Sequence, residues 1–286
     1  MFFYQLKNEL WKLFGKKRTY IGFSMLMLAQ LLIILLLRFY PPAHRGLVRS
    51  IEASGFMGEQ YISMLTVATI MAFVLAYTLL PLYVALVGGD LVSKEYEDGT
   101  LRMILSRPIS RVRLLFLKWL AGVVFSIVLV ASLAAGGLIF CGLMFPVTGS
   151  VFAQLPDDHV VGAVNTGIFP FQEGLQRFLL AHAFMVLKAV TIMSLAFMFS
   201  CFNMKPAAAA ILALSIILID RILMEIPFFH DLKEYFLGHY LNAWQTFYFQ
   251  HLWYWHLVES AAMLCAFSLT FLIIGLAVFQ VRDIKS

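Results

Sequence analysis

Long, largely uncharged runs of apolar residues alternate with short polar stretches along most of this chain. Apolar runs of about 18 or more residues are typical of helices that span a membrane. They predict transmembrane helices at residues 19–37, 62–87, 119–143, 178–200, 206–226 and 260–279. Such continuous runs disfavour the alternating strands of a membrane barrel. We therefore expect an all-α integral membrane protein with six transmembrane helices, in which residues 1–286 form a single transmembrane domain.

The stretch before the first run has a different pattern, FFYQLKNELWKLFGKK. Its apolar residues recur at helical spacing and its polar residues fill the other side, which predicts an interfacial helix over residues 2–17. Gly15 would allow a bend into the first span. This helix would either only anchor the chain in the inner interface, or pack against the bundle and touch a cytoplasmic partner.

Aromatic residues are concentrated in the last long polar stretch, residues 227–259. Twelve of them lie between Phe228 and Trp255. Trp and Tyr favour the headgroup level of a membrane. We interpret this outer segment between spans five and six as re-entrant, with one or two short helices dipping into the outer leaflet and a break at Gly238. A plain aromatic belt is the alternative.

The distribution of Lys and Arg predicts the orientation of the chain. With six spans, fourteen of these residues fall on the side of both termini and five on the opposite side. The more positive side is normally cytoplasmic, so both termini would lie in the cytoplasm and the protein in the inner (plasma) membrane. The net charge of +5 then reflects topology and contact with membrane lipid, not nucleic acid. Cys141, Cys201 and Cys265 lie in or beside apolar spans and are expected to pack as small hydrophobic residues.

The charged segment between spans two and three, residues 91–113, is predicted to form a helix, a break, a short helix and a second break. Gly99 suits the position after a helix end, and Thr100 can cap the next helix. Pro108 would end that short helix, and Ser110 can cap the helix that becomes span three.

Three acidic residues, Glu95, Glu97 and Asp98, lie on this segment, on the side where Lys and Arg dominate. Acids there need a partner other than anionic lipid, so we expect them to face a cytoplasmic protein. The residues read Glu95-Tyr-Glu-Asp-Gly-Thr-Leu101, followed by Arg107-Pro-Ile-Ser-Arg111 and Lys118. This combination resembles the signature of ABC type-2 transporter permeases. The interfacial helix and the aromatic outer segment fit the same family, so the resemblance covers essentially the whole chain.

The resemblance implies that residues 91–113, the coupling segment, contain a helix that sits in a groove of a separate ATPase subunit. The residues that would carry the coupling are Glu95, Glu97, Asp98, Gly99, Thr100, Leu101, Pro108 and Arg111. A complex of two permease chains, identical or related, with two cytoplasmic ATPase subunits is implied as well. ATP and Mg would bind to the ATPase, this chain would hold no cofactor, and the substrate would move outward.

Nothing in the sequence favours catalysis within the chain itself. It contains no G-x-x-x-x-G-K-[ST] phosphate loop and no nucleophile–base or paired-carboxylate constellation. We therefore expect no enzyme activity in this chain, and ATPase activity only in complex with a partner subunit. The outer segment also contains His230, His239, His251 and His256, but their spacing matches no helical ligand pair, so no metal site is predicted.

Charges inside spans four and five are costly in a membrane and need partners. Arg221 and Glu225 are four residues apart and can pair on one helix face. That leaves Asp220 for Lys188 of span four, because a short turn makes the two spans antiparallel neighbours. A structural ion pair is the main interpretation, and a substrate contact or proton relay is the alternative. An ion-coupled secondary transporter that uses Lys188 and Asp220 would follow from the relay, but the inverted repeats it predicts are not evident.

Overall fold

The computed structural model describes residues 2–100, 110–156 and 164–281, and most of these residues are helical. The α-helices in these ranges are α1 (Phe2–Phe14), α2 (Lys17–Phe39), α3 (Pro41–Ala53), α4 (Met64–Tyr77), α5 (Leu79–Glu97), α6 (Arg111–Met144), α7 (Phe171–Ser200), α8 (Pro206–Glu225), α9 (Leu237–Leu241) and α10 (Tyr254–Val281). Short 3₁₀ helices span Gly58–Tyr61, Pro227–Tyr235 and Ala243–Tyr248. The strands β1 (Val151–Pro156) and β2 (Val164–Phe169) form a hairpin.

The predicted helical membrane architecture is confirmed. Among the described residues, the five helices α2, α6, α7, α8 and α10 are long and apolar enough to cross a membrane. Helices α4 and α5 meet that test only together, as a pair bent by 41°. The described part of the chain therefore has five helices of spanning length, or six spans if the bent pair counts as one. Helix α6 begins eight residues before the predicted span 119–143, because Ser110 caps it within the polar segment.

The bend between α4 and α5 differs from the continuous helix predicted over residues 62–87, and Pro81 explains it. Proline has no N–H, and its ring clashes with the carbonyl four residues earlier, here that of Tyr77. Thr78 lies at the break, and its hydroxyl donates to the Val74 carbonyl at 2.8 Å. The break exposes Tyr77 and Thr78 to a cavity described below.

Helix α7 lies at the centre of the bundle and packs against α5, α6, α8 and α10. The contact with α5 is close because α5 presents glycine there. A Cβ on Gly88 would lie 2.5 Å from the Met193 carbonyl oxygen of α7. Small residues of this kind allow membrane helices to pack backbone against backbone, where dispersion and weak polar contacts stabilise association.

The hairpin between α6 and α7 was not predicted from the sequence. Strands β1 and β2 pair antiparallel, with Val151 opposite Phe169. The N–H of Phe152 donates to the Thr66 hydroxyl of α4 at 3.0 Å, and the Ser63 hydroxyl donates to the Ser150 carbonyl at 3.2 Å. These bonds fix the hairpin to the start of α4.

Residues 227–249, which we call the inserted segment, contain two 3₁₀ helices and α9. Trp244 and Tyr248 are buried in the bundle, and the Trp244 ring centroid lies 4.5 Å from that of Phe73 in α4. From Leu237 onward the segment therefore packs inside the protein, where we had expected it in the leaflet, whereas Phe228 and Tyr235 are exposed. The belt alternative describes the next residues better, because Trp253 and Trp255 are exposed.

Replacing Trp244 with Ala is expected to lower the stability of the protein by about 3 kcal/mol, because a large buried ring leaves a cavity that the bundle can only partly fill. The matched control is Trp255→Ala, since the Trp255 side chain is 81% exposed and that of Trp244 is 0% exposed. Thermal unfolding of both variants in one detergent tests this. Equal melting temperatures for the two variants would show that the inserted segment is not part of the core.

Candidate functional site

Four charged side chains meet where α1, α5 and α6 come together, and we call them the charge cluster: Glu9, Lys12, Glu95 and Lys118. The Lys118 ammonium lies 2.8 Å from the Glu9 carboxylate and 2.6 Å from the Glu95 carboxylate. Lys12 contacts the same two carboxylates at 2.9 and 3.4 Å. The Lys118 side chain is only 2% exposed, and those of Glu9 and Glu95 are 11% and 14% exposed. Two cations and two anions thus neutralise one another in a nearly buried site.

The pKa values in the cluster show how the neutralisation works. Burial by itself would raise the pKa of Glu9, but the charges and hydrogen bonds of Lys118 and Lys12 outweigh it, so that the pKa is lowered. Burial by itself would lower the pKa of Lys12, but Glu9 and Glu95 raise it. Both shifts favour the charged forms. Removing one member of a buried ion pair strands the other charge and costs about 3–5 kcal/mol, so each helix depends on the other two.

The local sequence explains how α1 reaches this site. Glu9 and Lys12 are three residues apart, so they share one face of α1. The Thr19 hydroxyl donates to the Leu13 carbonyl at 2.6 Å and fixes the turn into α2. Phe14 packs on Phe125 of α6, with ring centroids 6.3 Å apart. Helix α1 therefore packs against the bundle. This agrees with the second interpretation of the interfacial helix, in which it does more than anchor the chain.

The coupling segment leaves the charge cluster through two defined helix ends. Gly99 has φ +68°, the left-handed conformation predicted for the residue after a helix end. The Thr100 hydroxyl donates to the Glu95 carbonyl at 3.2 Å. On the far side, the Ser110 hydroxyl accepts the Arg113 N–H at 3.3 Å, so the predicted cap of this helix is confirmed. Leu101 and Pro108 lie outside the described residues.

The acidic residues of the coupling segment do not share one environment. Glu97 and Asp98 are about half exposed and pair with Lys94 at 2.9 and 3.2 Å. Glu95 was expected to face a partner protein as well, but it points into the charge cluster instead. The expectation treated the three acids alike because the partner of Glu95, Lys118, is distant in sequence. The guanidinium of Arg111 donates to the Gln280 carbonyl at 3.3 Å, which joins α6 to the end of α10.

A second polar site lies at the bend between α4 and α5. Lys188 of α7 is only 3% exposed, and its ammonium lies 4.5 Å from the Tyr77 ring centroid and 5.8 Å from that of Trp244. The Arg221 guanidinium of α8 also lies 4.5 Å from the Tyr77 ring. Lys188 is buried whereas Arg221 is exposed, so only the Lys188 contact is desolvated; such a contact contributes about 2 kcal/mol, against about 2.5–3.5 kcal/mol for placing Lys in a membrane. The ring therefore offsets part of the cost of the Lys188 charge.

The predicted ion pairs within the membrane are not formed. Asp220 accepts the backbone N–H groups of Leu237 and Gly238 at 3.2 and 2.5 Å. No ion pair links Lys188 to Asp220, or Arg221 to Glu225, in the part of the chain that the structure describes. The prediction considered only side-chain partners, whereas the first N–H groups of α9 have no partner within their own helix and donate to the carboxylate.

Further polar contacts hold the inserted segment in place. The Gln245 amide donates to the Tyr77 hydroxyl at the bend. The Arg177 guanidinium donates to the Phe247 and Phe249 carbonyls at 3.1 and 2.7 Å. Gly238 is required by space, since a Cβ there would lie within contact distance of the Asp220 carboxylate. Each of these three contacts joins a different helix to the segment.

A cavity of about 310 Å³ lies beside this second polar site. Its wall includes Tyr77, Lys188 and Arg221, together with Gly238 and Leu241 of the inserted segment. The rest of the wall is mostly aliphatic and comes from α5, α7 and α8. The sequence pointed to Lys188 and Arg221 as unusual, but the bend that creates the cavity was missed, although Pro81 signals it.

Two histidines of the outer segment are neighbours. The rings of His239 and His256 lie 5.3 Å apart. Throughout residues 2–100, 110–156 and 164–281, no three His, Cys, Asp or Glu side chains group as metal ligands would. The side chain of His230 is outside the described part.

The helices define a multi-pass membrane protein, and comparison with known proteins gives its family. Residues 11–284 match the sequence model of the ABC-2 family transporter protein. This match covers nearly the whole chain, so the protein belongs to the ABC-2 transporter family, as the resemblance implied. Members of this family are membrane permease subunits and work with ATPase subunits.

A protein of Bacillus subtilis (strain 168) described as "Uncharacterized protein YhcI" is also similar. It is 26% identical over 215 residues, which are 72% of this chain and 64% of the relative. The chain thus spans less than two thirds of the relative's length.

Lys118→Met is expected to destabilise the protein by up to about 3–5 kcal/mol, because two nearly buried carboxylates then share the half-exposed Lys12 as their cation. Adding Glu95→Gln to this variant should recover part of the loss, since one of the two acids is then neutral. Thermal unfolding of the two single variants and the double variant measures the coupling. Lys205→Met is the control, because Lys205 is exposed between α7 and α8. Additive changes for Lys118 and Glu95 would contradict the cluster.

The contribution of Glu9 to stability should depend on pH. Its pKa in the folded protein is below the ordinary value of 4.5, so its contribution is complete above pH 4.5 and is lost as the pH falls through the lowered value. The melting temperature of the wild type should therefore exceed that of Glu9→Gln at neutral pH, and the two should converge on acidification. A difference that stays constant down to acid pH would contradict this assignment.

Proposed function

We propose that this protein is the membrane permease of an ATP-binding-cassette exporter, driven by ATP that separate cytoplasmic ATPase subunits hydrolyse. Membership of the ABC-2 family supports the permease class. The observation that carries the coupling mechanism is the charge cluster, which connects both helices flanking the coupling segment to α1. An exporter must transmit a movement of its cytoplasmic segment to the transmembrane helices. The ion pairs of the charge cluster would provide this connection.

The proposed route begins at residues 91–113. The ATPase would contact the exposed Glu97 and Asp98, and the segment between Gly99 and Ser110 would transmit its closure to α5 and α6. Because Lys118 of α6 pairs with Glu95 of α5, the ends of the two helices would move together. Glu9 would carry the same displacement to α1. The ion pairs resist separation because the charges are desolvated and unpaired buried ions are costly.

The proposed assembly contains two permease chains, identical or related, and two ATPase subunits that hold ATP and Mg. Each permease chain would have six spans, with α4 and α5 forming one of them. The end of the bundle that carries α1 would be cytoplasmic, together with both termini, in the inner membrane. Counting Lys and Arg supports this orientation, since fourteen fall on that side of a six-span chain.

No observation favours the ion-coupled alternative. It required Lys188 and Asp220 to exchange a proton or ion, but Asp220 is bound to the amides of Leu237 and Gly238.

The coupling proposal is tested by co-expressing the tagged chain with candidate ABC ATPase subunits of the same organism and retaining the one that co-purifies with it. Wild type should co-purify with the ATPase and support transport-coupled ATP hydrolysis. The charge reversals Glu97→Lys and Asp98→Lys should reduce co-purification. Gly99→Val should keep membrane insertion but lower ATPase stimulation, because a β-branched residue at positive φ is strained by about 1–2 kcal/mol.

Glu52→Lys in α3 is the matched control, since it reverses an exposed charge at the opposite end of the bundle. It should behave as the wild type. Unchanged co-purification and ATPase activity in all three coupling variants would refute the assignment of residues 91–113.

A further inference from the structure

The cavity beside the bend of α4 and α5 combines two cations with an aliphatic wall. Its volume of about 310 Å³ lies at the lower end of the range for small-molecule sites. Lys188 of α7 and Arg221 of α8 line the wall, and both contact the Tyr77 ring. Leu82 of α5 and Ile217 and Leu218 of α8 contribute apolar surface.

The positive charge in this cavity has no acidic partner in the part of the chain that the structure describes. Among the described residues, no carboxylate lies within ion-pair distance of Lys188 or Arg221. The nearest acid in sequence, Asp220, already accepts the N–H groups of Leu237 and Gly238. Two cations that share one aromatic ring also repel each other, and desolvation strengthens this repulsion. An anion in the cavity would relieve both effects.

The apolar part of the wall reaches the outer surface of the chain. Leu82 and Leu218 line the cavity, and both are exposed on helices that carry apolar surface. In a multi-pass membrane protein, such a surface meets hydrocarbon chains. A ligand from the bilayer could therefore keep its hydrocarbon on this surface while its headgroup reaches the cations.

We propose that the cavity is a binding site for an anionic amphiphile of the bilayer, a molecule with a phosphate headgroup on Lys188 and Arg221 and hydrocarbon on the aliphatic wall. Arginine suits a phosphate because its planar guanidinium donates two parallel hydrogen bonds. The buried lysine adds a second charge-assisted contact. The site lies away from the charge cluster and requires no ATPase, so it is tested independently of the coupling mechanism.

The test uses the full chain in vesicles of phosphatidylcholine with or without phosphatidylglycerol, followed by extraction into a neutral detergent. Native mass spectrometry then measures which lipid stays bound. Wild type should retain phosphatidylglycerol in preference to phosphatidylcholine. Lys188→Met and Arg221→Met should each weaken the binding by about tenfold, the usual effect of one charge-assisted hydrogen bond.

Two further variants separate a lost contact from a damaged fold. Lys188→Arg keeps the cation and should keep the lipid, whereas Lys205→Met removes an exposed cation elsewhere and should bind as the wild type does.

Without anionic lipid, Lys188→Met should melt at a higher temperature than the wild type, because an uncompensated charge is gone. Phosphatidylglycerol should then raise the melting temperature of the wild type more than that of Lys188→Met, because the variant binds it more weakly.

Competition with inorganic phosphate distinguishes a lipid from a free anion. If phosphate protects the wild type as strongly as phosphatidylglycerol does at equal concentration, the aliphatic wall contributes nothing and the proposal is refuted. Equal retention of phosphatidylglycerol by the wild type, Lys188→Met and Arg221→Met would refute it as well, as would equal retention of the two lipids by the wild type.

Discussion

The Lys118 ammonium, almost wholly buried between two carboxylates, is the interaction on which one end of the bundle depends. A buried ion of this kind is tolerated only while its partners remain within hydrogen-bond distance, because its hydration has been lost. Glu9 belongs to α1 and Glu95 to α5, so one side chain of α6 fixes the positions of three elements. The two helix ends within the coupling segment lie at Thr100 and Ser110. Glu95 lies five residues before the first of them, and Lys118 lies eight residues after the second. Both ends of the segment therefore lie near the charge cluster. A displacement of the segment would then reach α1, α5 and α6 together.

The other polar site is built on a different principle. Asp220 satisfies backbone amides of the inserted segment, Arg177 donates to carbonyls at the segment's far end, and Gln245 contacts Tyr77. These bonds hold irregular backbone inside the bundle, where its polar groups must find partners within the protein. Because Asp220 serves the backbone, Lys188 and Arg221 contact the Tyr77 ring instead of a carboxylate of the described residues. One end of the protein thus pairs its charges internally, while the cavity is lined by two basic side chains.

Much of this architecture could be predicted from local sequence, and the remainder depended on contacts between distant residues. The spanning helices follow from long apolar runs, and Gly99 and Ser110 mark helix ends through their own conformational and capping preferences. Lys118 and Glu9 are 109 residues apart, so no periodicity links them. Asp220 escaped prediction because its partners are amide groups, which every residue type supplies. The hairpin was missed because its strands are short. The bend between α4 and α5 could have been predicted from Pro81.

Hydrogen exchange measured along the chain of the purified protein tests the central role of Lys118 most directly. The account predicts that Lys118→Met will speed exchange in α1 and in the last turn of α5 together, while the centre of α7 keeps its protection, because only the first two depend on the buried ammonium. Unchanged protection of α1 in a correctly folded Lys118→Met variant would contradict the account, since α1 would then be held to the bundle by its apolar face alone.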